Sequence, residues 1–182
     1  MDPRLQPVID EAASQRARFE GFCRSLTAAE LARPVPGDPW CVGDYICHLA
    51  TVDDFVTAWF GALANGEPWR PRAGGGGPFD IDDWNESRVG EARALPLEAL
   101  LRAAAGRRRQ LFDVFWRLPQ ATLDRTFDFR GKTITFLRYL ELWTQHDPAH
   151  ATDMLRALPE RAEDPDVQVW PGRLQFPRRA SE

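Results

Sequence analysis

The sequence predicts an all-α protein, a four-helix bundle with short accessory helices and an irregular C-terminal tail. Along most of the chain, apolar residues recur every three or four positions, the period of an α-helix that buries one face. The length of 182 residues suits one domain with a full hydrophobic core. We therefore expect a single domain over residues 1–182, with the bundle at about 4–158 and the tail at 159–182.

The first half of the chain contains two long predicted helices with a short helix between them. An amphipathic pattern covers residues 8–26, and Thr27 with Glu30 forms a capping box for a short second helix. Pro34 and Pro36 end that segment. The next long helix is predicted at 42–63, after Trp40, because its apolar residues are spaced by three and four throughout.

A connection over residues 65–78 contains four consecutive glycines, Gly74 to Gly77. A phosphate-binding loop would require a preceding strand and a following Lys-Ser/Thr pair, and the sequence has neither. We therefore predict a flexible connection. A helix at 81–94 follows, and Pro96 opens another that extends to Leu118.

The last third of the chain begins with alternating residues at 127–132, which predict a short extended loop. Thr133 or Thr135 can cap a final long helix that runs to residue 158. The tail from Pro159 is expected to wrap over the bundle, without regular structure beyond one short strand. Its apolar anchors would be Val167, Val169, Trp170 and Phe176.

Composition restricts the partners and the compartment. A net charge of −4 gives no electrostatic reason to expect nucleic acid or an anionic membrane as a partner. The chain has no apolar run of the roughly 20 residues that a membrane span needs, and its N-terminus has no secretory pattern. Cys23, Cys41 and Cys47 are odd in number and closely spaced, a poor disulfide framework, so a reducing cytoplasm is expected.

The chain has three histidines, His48, His146 and His150, and the last two lie in the run H-D-P-A-H. A spacing of four residues places both imidazoles on one helix face, roughly 6 Å apart along the axis. On a helical wheel they share the arc of the apolar residues, so they point into the bundle. Burying two imidazoles is costly unless their nitrogens find partners, and a metal ion would satisfy both.

His48 can join this pair only through tertiary structure. Three neutral ligands with an open coordination position would be typical of a catalytic zinc site, because structural zinc sites are closed by four protein ligands. The alternative is that each histidine is a core residue hydrogen-bonded to a neighbour. Pro148 either kinks the helix between the ligands or, with Asp147 as a cap, starts a fresh helix, which would weaken the spacing argument.

Four further residues are candidates for supporting roles. Asp44 and Asp153 lie within helical reach of His48 and His150 and could orient their imidazoles. The alternatives are that Asp44 serves its own helix N-terminus and that Asp153 is solvated. Asn85 and Arg88 could line a substrate pocket, or lie on a helix surface.

Three motifs resemble those of the DinB/YfiT-like superfamily. The segment W-C-V-G-D-Y-I-C-H-L-A at 40–50 resembles that family's W-[ST]-x-x-[DE]-x-x-x-H-L-A pattern, and H-D-P-A-H resembles its H-x-x-x-H. The run W-N-E-S-R-V-G-E at 84–91 is similar to the start of its third helix. The resemblance covers about residues 4–158. Cys41 replaces the usual Ser or Thr cap, and Pro148 is an uncommon residue between the last two motif histidines.

The resemblance implies a four-helix bundle that binds a divalent metal, zinc or nickel, through His48, His146 and His150. Relatives such as mycothiol-dependent maleylpyruvate isomerases and bacillithiol transferases use the metal to activate a low-molecular-weight thiol, and others are assigned as hydrolases. The C-terminal domain of the maleylpyruvate isomerases is missing from this sequence, so the resemblance does not imply that particular activity.

The functional expectation is a metal-dependent enzyme that activates a thiol cofactor, such as mycothiol or bacillithiol, for transfer to a small electrophilic substrate. One alternative is a hydrolase, because a bound metal can also lower the pKa of water to about 7. Another is a non-catalytic metal-binding bundle of the stress-response type. Trp69 and Trp116, expected at the surface, suggest a homodimer.

Overall fold

The computed structural model describes residues 2–67, 79–129 and 131–168. The predicted glycine-rich connection at 74–77, Trp69, and the tail anchors Val169, Trp170 and Phe176 lie outside the described residues. In chain order the elements are α1 (Leu5–Ser25), α2 (Ala28–Leu31), α3 (Val42–Thr51), α4 (Asp53–Ala64), α5 (Ile81–Ala92), α6 (Leu97–Phe115), α7 (Gln120–Leu123), β1 (Thr126–Phe129), β2 (Lys132–Thr135), α8 (Phe136–Trp143), α9 (His146–Leu155), a 3₁₀ turn (Pro159–Arg161) and α10 (Pro165–Gln168).

The long helices close a ring around one core, which confirms the predicted bundle. Helix α1 packs against α6 on one side and against α8 and α9 on the other, while α6 packs against α3 and α4. Contact between α3 and α9 completes the ring. Helix α5 packs on α3 as an accessory helix. The largest side chains that are fully buried in the core are Phe19, Phe22, Tyr45, Phe60 and Phe115.

Local capping signals fix where the helices begin. Thr27 and Glu30 form the predicted capping box at α2. Thr135, one of the two predicted caps, accepts a hydrogen bond from the amide of Arg138 at the start of α8.

Two predicted long helices are each interrupted once. The helix predicted at 42–63 breaks at Val52, next to Thr51, whose hydroxyl donates to the carbonyls of Cys47 and His48. Such back-bonding bends a helix. The helix predicted to end at residue 158 breaks between α8 and α9, because Pro148 has no N–H to donate to the carbonyl four residues earlier.

The segment predicted as an extended loop is a two-stranded antiparallel hairpin. Phe127 pairs with Ile134, and both side chains pack against the main hydrophobic core. Gly131, in the turn, has φ +75°, a backbone conformation that favours glycine.

Beyond the bundle, the described part of the tail forms the 3₁₀ turn and α10 instead of a strand, and Val167 is buried as predicted. Trp116 is half-buried against the core instead of exposed. The three cysteines are free thiols. Within the described residues, no helix has both the length and the apolar character needed to cross a membrane.

Candidate metal centre

The structure brings His48, His146 and His150 together. His48 comes from α3 and the other two from α9, and one nitrogen of each lies within 4.8 Å of the others. The ring centroids of His146 and His150 are 4.6 Å apart, and those of His48 and His150 are 4.9 Å apart. Helix α9 begins at His146, so both members of the pair share one helix and keep the predicted spacing.

Two of the three histidines are buried, and the third is partly exposed to solvent. His48 and His146 are 4% and 8% exposed, whereas the His150 side chain is 20% exposed. Burial, followed by the proximity of His150, lowers the pKa of His48 and of His146 well below the ordinary value. Both imidazoles are therefore neutral at pH 7, the form that coordinates a metal.

A buried ring nitrogen of His48 without a hydrogen-bond partner fits a residue that binds a metal ion. Its Nδ1 is buried and has no hydrogen-bond partner among the described residues. A buried polar group without a partner costs about 1–3 kcal/mol, so a histidine that served only the core would be poorly placed here. Three imidazole nitrogens at this separation suit zinc or nickel, which both bind nitrogen ligands readily.

Aromatic rings hold the imidazoles in place. The Trp143 ring stacks on His146 at 4.3 Å with an interplanar angle of 13°. The Trp40 ring lies 5.2 Å from His48, and the Tyr45 ring lies 5.4 Å from His150. These side chains restrict the rotation of each imidazole and exclude water from the buried side of the site.

Of the two predicted supporting carboxylates, Asp153 contacts a histidine. Its Oδ2 lies 3.3 Å from Nδ1 of His150, so Nε2 is the nitrogen of that ring available to a metal ion. Asp44 does not play the role predicted for it. Its two oxygens accept from the Cys41 amide at 3.1 Å and from Nε of Arg93 at 2.8 Å, so it caps α3, as the alternative held.

The two residues predicted to line a substrate pocket lie on α5. Arg88 donates to Asp54 at 3.1 Å and to Glu91 at 2.6 Å, so its guanidinium ties α5 to α4 instead of reaching towards the histidines. Asn85 is half-buried, and its Oδ1 is buried without a hydrogen-bond partner within the described parts of the chain. A substrate contact by Asn85 stays a prediction.

Sequence reasoning missed a group of four buried charges beside the histidines, Arg16, Asp53, Arg108 and Asp147, which we call the charge network. Nε of Arg16 donates to Asp147 at 2.7 Å, and Nε of Arg108 donates to Asp53 at 2.7 Å. The available signal was position, because each of the four lies among the buried residues of its helix. Charged residues on a buried face must find partners there.

The charges in this network stabilise one another. Burial would raise the pKa of Asp147, but the positive charges of Arg108 and Arg16 outweigh it and the pKa lies below the ordinary value. Burial would likewise lower the pKa of Arg108, and the charges of Asp147 and Asp53 raise it instead. Asp147 and Arg108 are therefore both ionised at neutral pH.

Comparison with known proteins agrees with this fold. The model of the DinB superfamily matches residues 11–154. A mycothiol-dependent maleylpyruvate isomerase superposes with a TM-score of 0.64 at 13% identity, over 85% of this chain and 63% of its own. This chain thus spans less than two thirds of the isomerase. A mutant of that isomerase gives a TM-score of 0.63 at the same identity and coverage.

A second solved structure covers the two chains more evenly. YfiT from Bacillus subtilis, described as a probable metal-dependent hydrolase with an unusual four-helix bundle topology, has a TM-score of 0.64 at 19% identity. The alignment covers 84% of this chain and 86% of YfiT. At these identities the likeness shows the fold. No curated protein matches the chain.

Proposed function

The chain belongs to the DinB superfamily, and we propose that it is a metal-dependent enzyme that activates a low-molecular-weight thiol for transfer to a small electrophile. His48, His146 and His150 would hold a divalent zinc or nickel ion. The observation that carries the proposal is the convergence of three imidazoles, two of them buried and neutral, with one nitrogen of each within 4.8 Å of the others.

When bound, the metal supplies a Lewis acid that keeps a thiol in its nucleophilic thiolate form. The ligand set favours an anionic further ligand, because histidine binds a metal as uncharged imidazole and three such ligands leave the metal's positive charge uncompensated. Trp143 and Tyr45 make the surroundings apolar, which strengthens electrostatic attraction at the site. The partly exposed ring of His150 marks the side from which small molecules can enter.

The carboxylates beside the histidines favour thiol activation over hydrolysis. A hydrolase benefits from a general base that takes a proton from water. Both oxygens of Asp147 accept hydrogen bonds from Arg16 and Arg108, and Asp153 lies against His150. A thiol has an ordinary pKa of about 8.5, far below that of free water, so on binding the metal it can release its proton to solvent without such a base. The thiol would be of the mycothiol or bacillithiol type, in line with the mycothiol dependence of the isomerase of similar fold.

Metal-dependent hydrolysis is the second candidate. It is favoured by the likeness to YfiT, whose chain is covered more completely than that of the isomerase and which is described as a probable hydrolase. Both candidates use the same three histidines, so they differ in the co-substrate and not in the ligand set.

Elemental analysis combined with activity assays tests the proposal. The protein is stripped with a chelator, reloaded with Zn²⁺ or Ni²⁺, and assayed for conjugation of mycothiol or bacillithiol to a chromogenic electrophile and for ester hydrolysis. We expect one metal per chain and metal-dependent conjugation, both lost in His48→Ala and His150→Ala. The exposed-face variant Asp113→Asn is the matched control and should behave as the wild type.

Other results of these assays would support a different function. Metal-dependent ester hydrolysis without conjugation would support the hydrolase. Stoichiometric metal with neither activity would support a non-catalytic metal-binding bundle. A wild-type protein that takes up no metal when zinc and nickel are supplied would contradict the metal site itself.

A further inference from the structure

The charge network joins the four sides of the bundle at one level. Arg16 comes from α1, Asp53 from α4, Arg108 from α6 and Asp147 from α9, and none of them is more than 4% exposed. Seven short contacts connect them to one another and to the backbone. Burying charged side chains costs free energy, and a buried ion-pair network often adds little to the stability of the fold. We therefore expect this network to have a role other than stabilising the fold.

Arg16 links the two helices that supply the histidines. Its Nη1 donates to the carbonyl of Leu49 at 3.2 Å, one residue after His48 in α3. Its Nε and Nη2 donate to the two oxygens of Asp147 at 2.7 and 3.0 Å, one residue after His146 in α9. A single planar guanidinium therefore bridges the two helices that carry the histidines.

Arg108 makes a second link of the same kind from the opposite helix. Its guanidinium donates to both oxygens of Asp53 at 2.7 and 3.2 Å and to Oδ1 of Asp147 at 3.2 Å. Asp53 opens α4, immediately after the break at Val52, and Asp147 lies in the first turn of α9, immediately after the break behind α8. Both helices that carry ligands are thus interrupted close to the site, and the network fastens each at its interruption.

We propose that Arg16, Asp53, Arg108 and Asp147 are positioning residues that hold α3 and α9 at the separation at which His48, His146 and His150 can share one metal ion. This inference rests on the proposed metal centre. Its physical basis is preorganisation, because a site whose ligands are already in place binds metal more tightly than one that must first reorganise. The breaks in the helices remove the rigidity that continuous helices would have supplied.

A double variant separates positioning from stability. Asp53→Leu with Arg108→Met removes one pair of opposite charges together and leaves the balanced pair Arg16 and Asp147 in the core. Replacing a buried ion pair by apolar residues of similar size is commonly neutral or stabilising. We therefore expect an unchanged or raised melting temperature for the metal-free protein. We also expect a Zn²⁺ dissociation constant, measured by competition with a chromogenic chelator, that is about 10- to 100-fold weaker.

The single variant Asp53→Asn is a second test, and Asp54→Asn is its matched control. Asp54 is the next residue and also accepts from two arginines, Arg88 and Arg107, but its side chain is 35% exposed and it lies outside the network. We expect Asp53→Asn to weaken Zn²⁺ binding at least tenfold and Asp54→Asn to change it less than twofold. The absorption bands of bound Co²⁺ should also shift in the network variant, because the ligand geometry changes.

These measurements distinguish a network without a positioning role from a protein without a metal site. If the folded double variant and Asp53→Asn bind Zn²⁺ within twofold of the wild-type affinity, the network only fills the core and the inference is overturned, while the metal site stands. If the wild type itself binds no metal, the proposed function fails. A tenfold loss shared equally by Asp54→Asn would also overturn the inference, since the effect would then come from charge removal anywhere on α4.

Discussion

Metal binding should stabilise the fold by a predictable amount. His48 lies about a hundred residues before His146, so the unfolded chain does not bring the three histidines together and the proposed site exists only in the folded state. At a free Zn²⁺ concentration 100 times the dissociation constant, linkage adds about 2.7 kcal/mol to the free energy of unfolding. For a domain of this size, 1 kcal/mol shifts the melting temperature by about 2–4 °C, so we expect a rise of about 5–10 °C.

The assay is thermal unfolding followed by circular dichroism, with metal-free protein titrated with Zn²⁺. Mg²⁺ is the matched control, because it prefers oxygen ligands and should leave the melting temperature unchanged at the same concentration. His48→Ala should abolish most of the shift, since it removes the ligand that joins α3 to α9. The dependence of the melting temperature on the free Zn²⁺ concentration also yields the dissociation constant through the same linkage relation.

Two results would refute this reasoning. A melting temperature that does not respond to Zn²⁺ would mean that the three imidazoles do not form a site. An equal rise in the wild type and in His48→Ala would place the bound metal elsewhere on the chain.

Four other outcomes follow from single features of the structure. Asp153→Asn should weaken Zn²⁺ binding about tenfold in the chelator competition, because its carboxylate orients His150. Burial lowers the pKa of His48 and His146, so as the pH falls the unfolded state takes up protons before the folded state does. In urea titrations the free energy of unfolding of the metal-free protein should therefore fall as the pH drops below about 6.5. Thr27→Ala should cost about 1 kcal/mol in the same titrations by removing a helix cap, and Phe60→Ala about 3–5 kcal/mol by leaving a cavity.

The features that the sequence predicts correctly are local ones. Thr27 and Thr135 mark helix starts through side-chain caps that lie within three residues of their partners. The pairing of His146 with His150 follows from helical periodicity alone, because the two residues are four positions apart in a single helix. His48 required the family motif, since no local rule relates residues a hundred positions apart.

The features that the sequence does not predict depend on tertiary contacts. Arg16 and Arg108 are visible as charges among apolar residues, yet nothing local shows that both of them meet Asp147. Asp44 illustrates the converse error. Its spacing from His48 allowed a contact with the imidazole. Its two oxygens instead accept from Arg93, just after the end of α5, and from the Cys41 amide that it caps at the start of α3.

Pro148, which lies between His146 and His150 in α9, helps to build the proposed site instead of disrupting it. In a continuous helix Asp147 would lie in the helix interior, where every backbone N–H already donates to a carbonyl four residues earlier and none is left to stabilise a carboxylate. Because proline removes one backbone hydrogen bond, α8 ends at Trp143 and α9 begins at His146, which puts Asp147 in a first turn. A carboxylate there is stabilised by the helix dipole and is free to accept from both arginines of the network. The break that weakens the helix therefore creates the anchor that fixes His146 relative to His48.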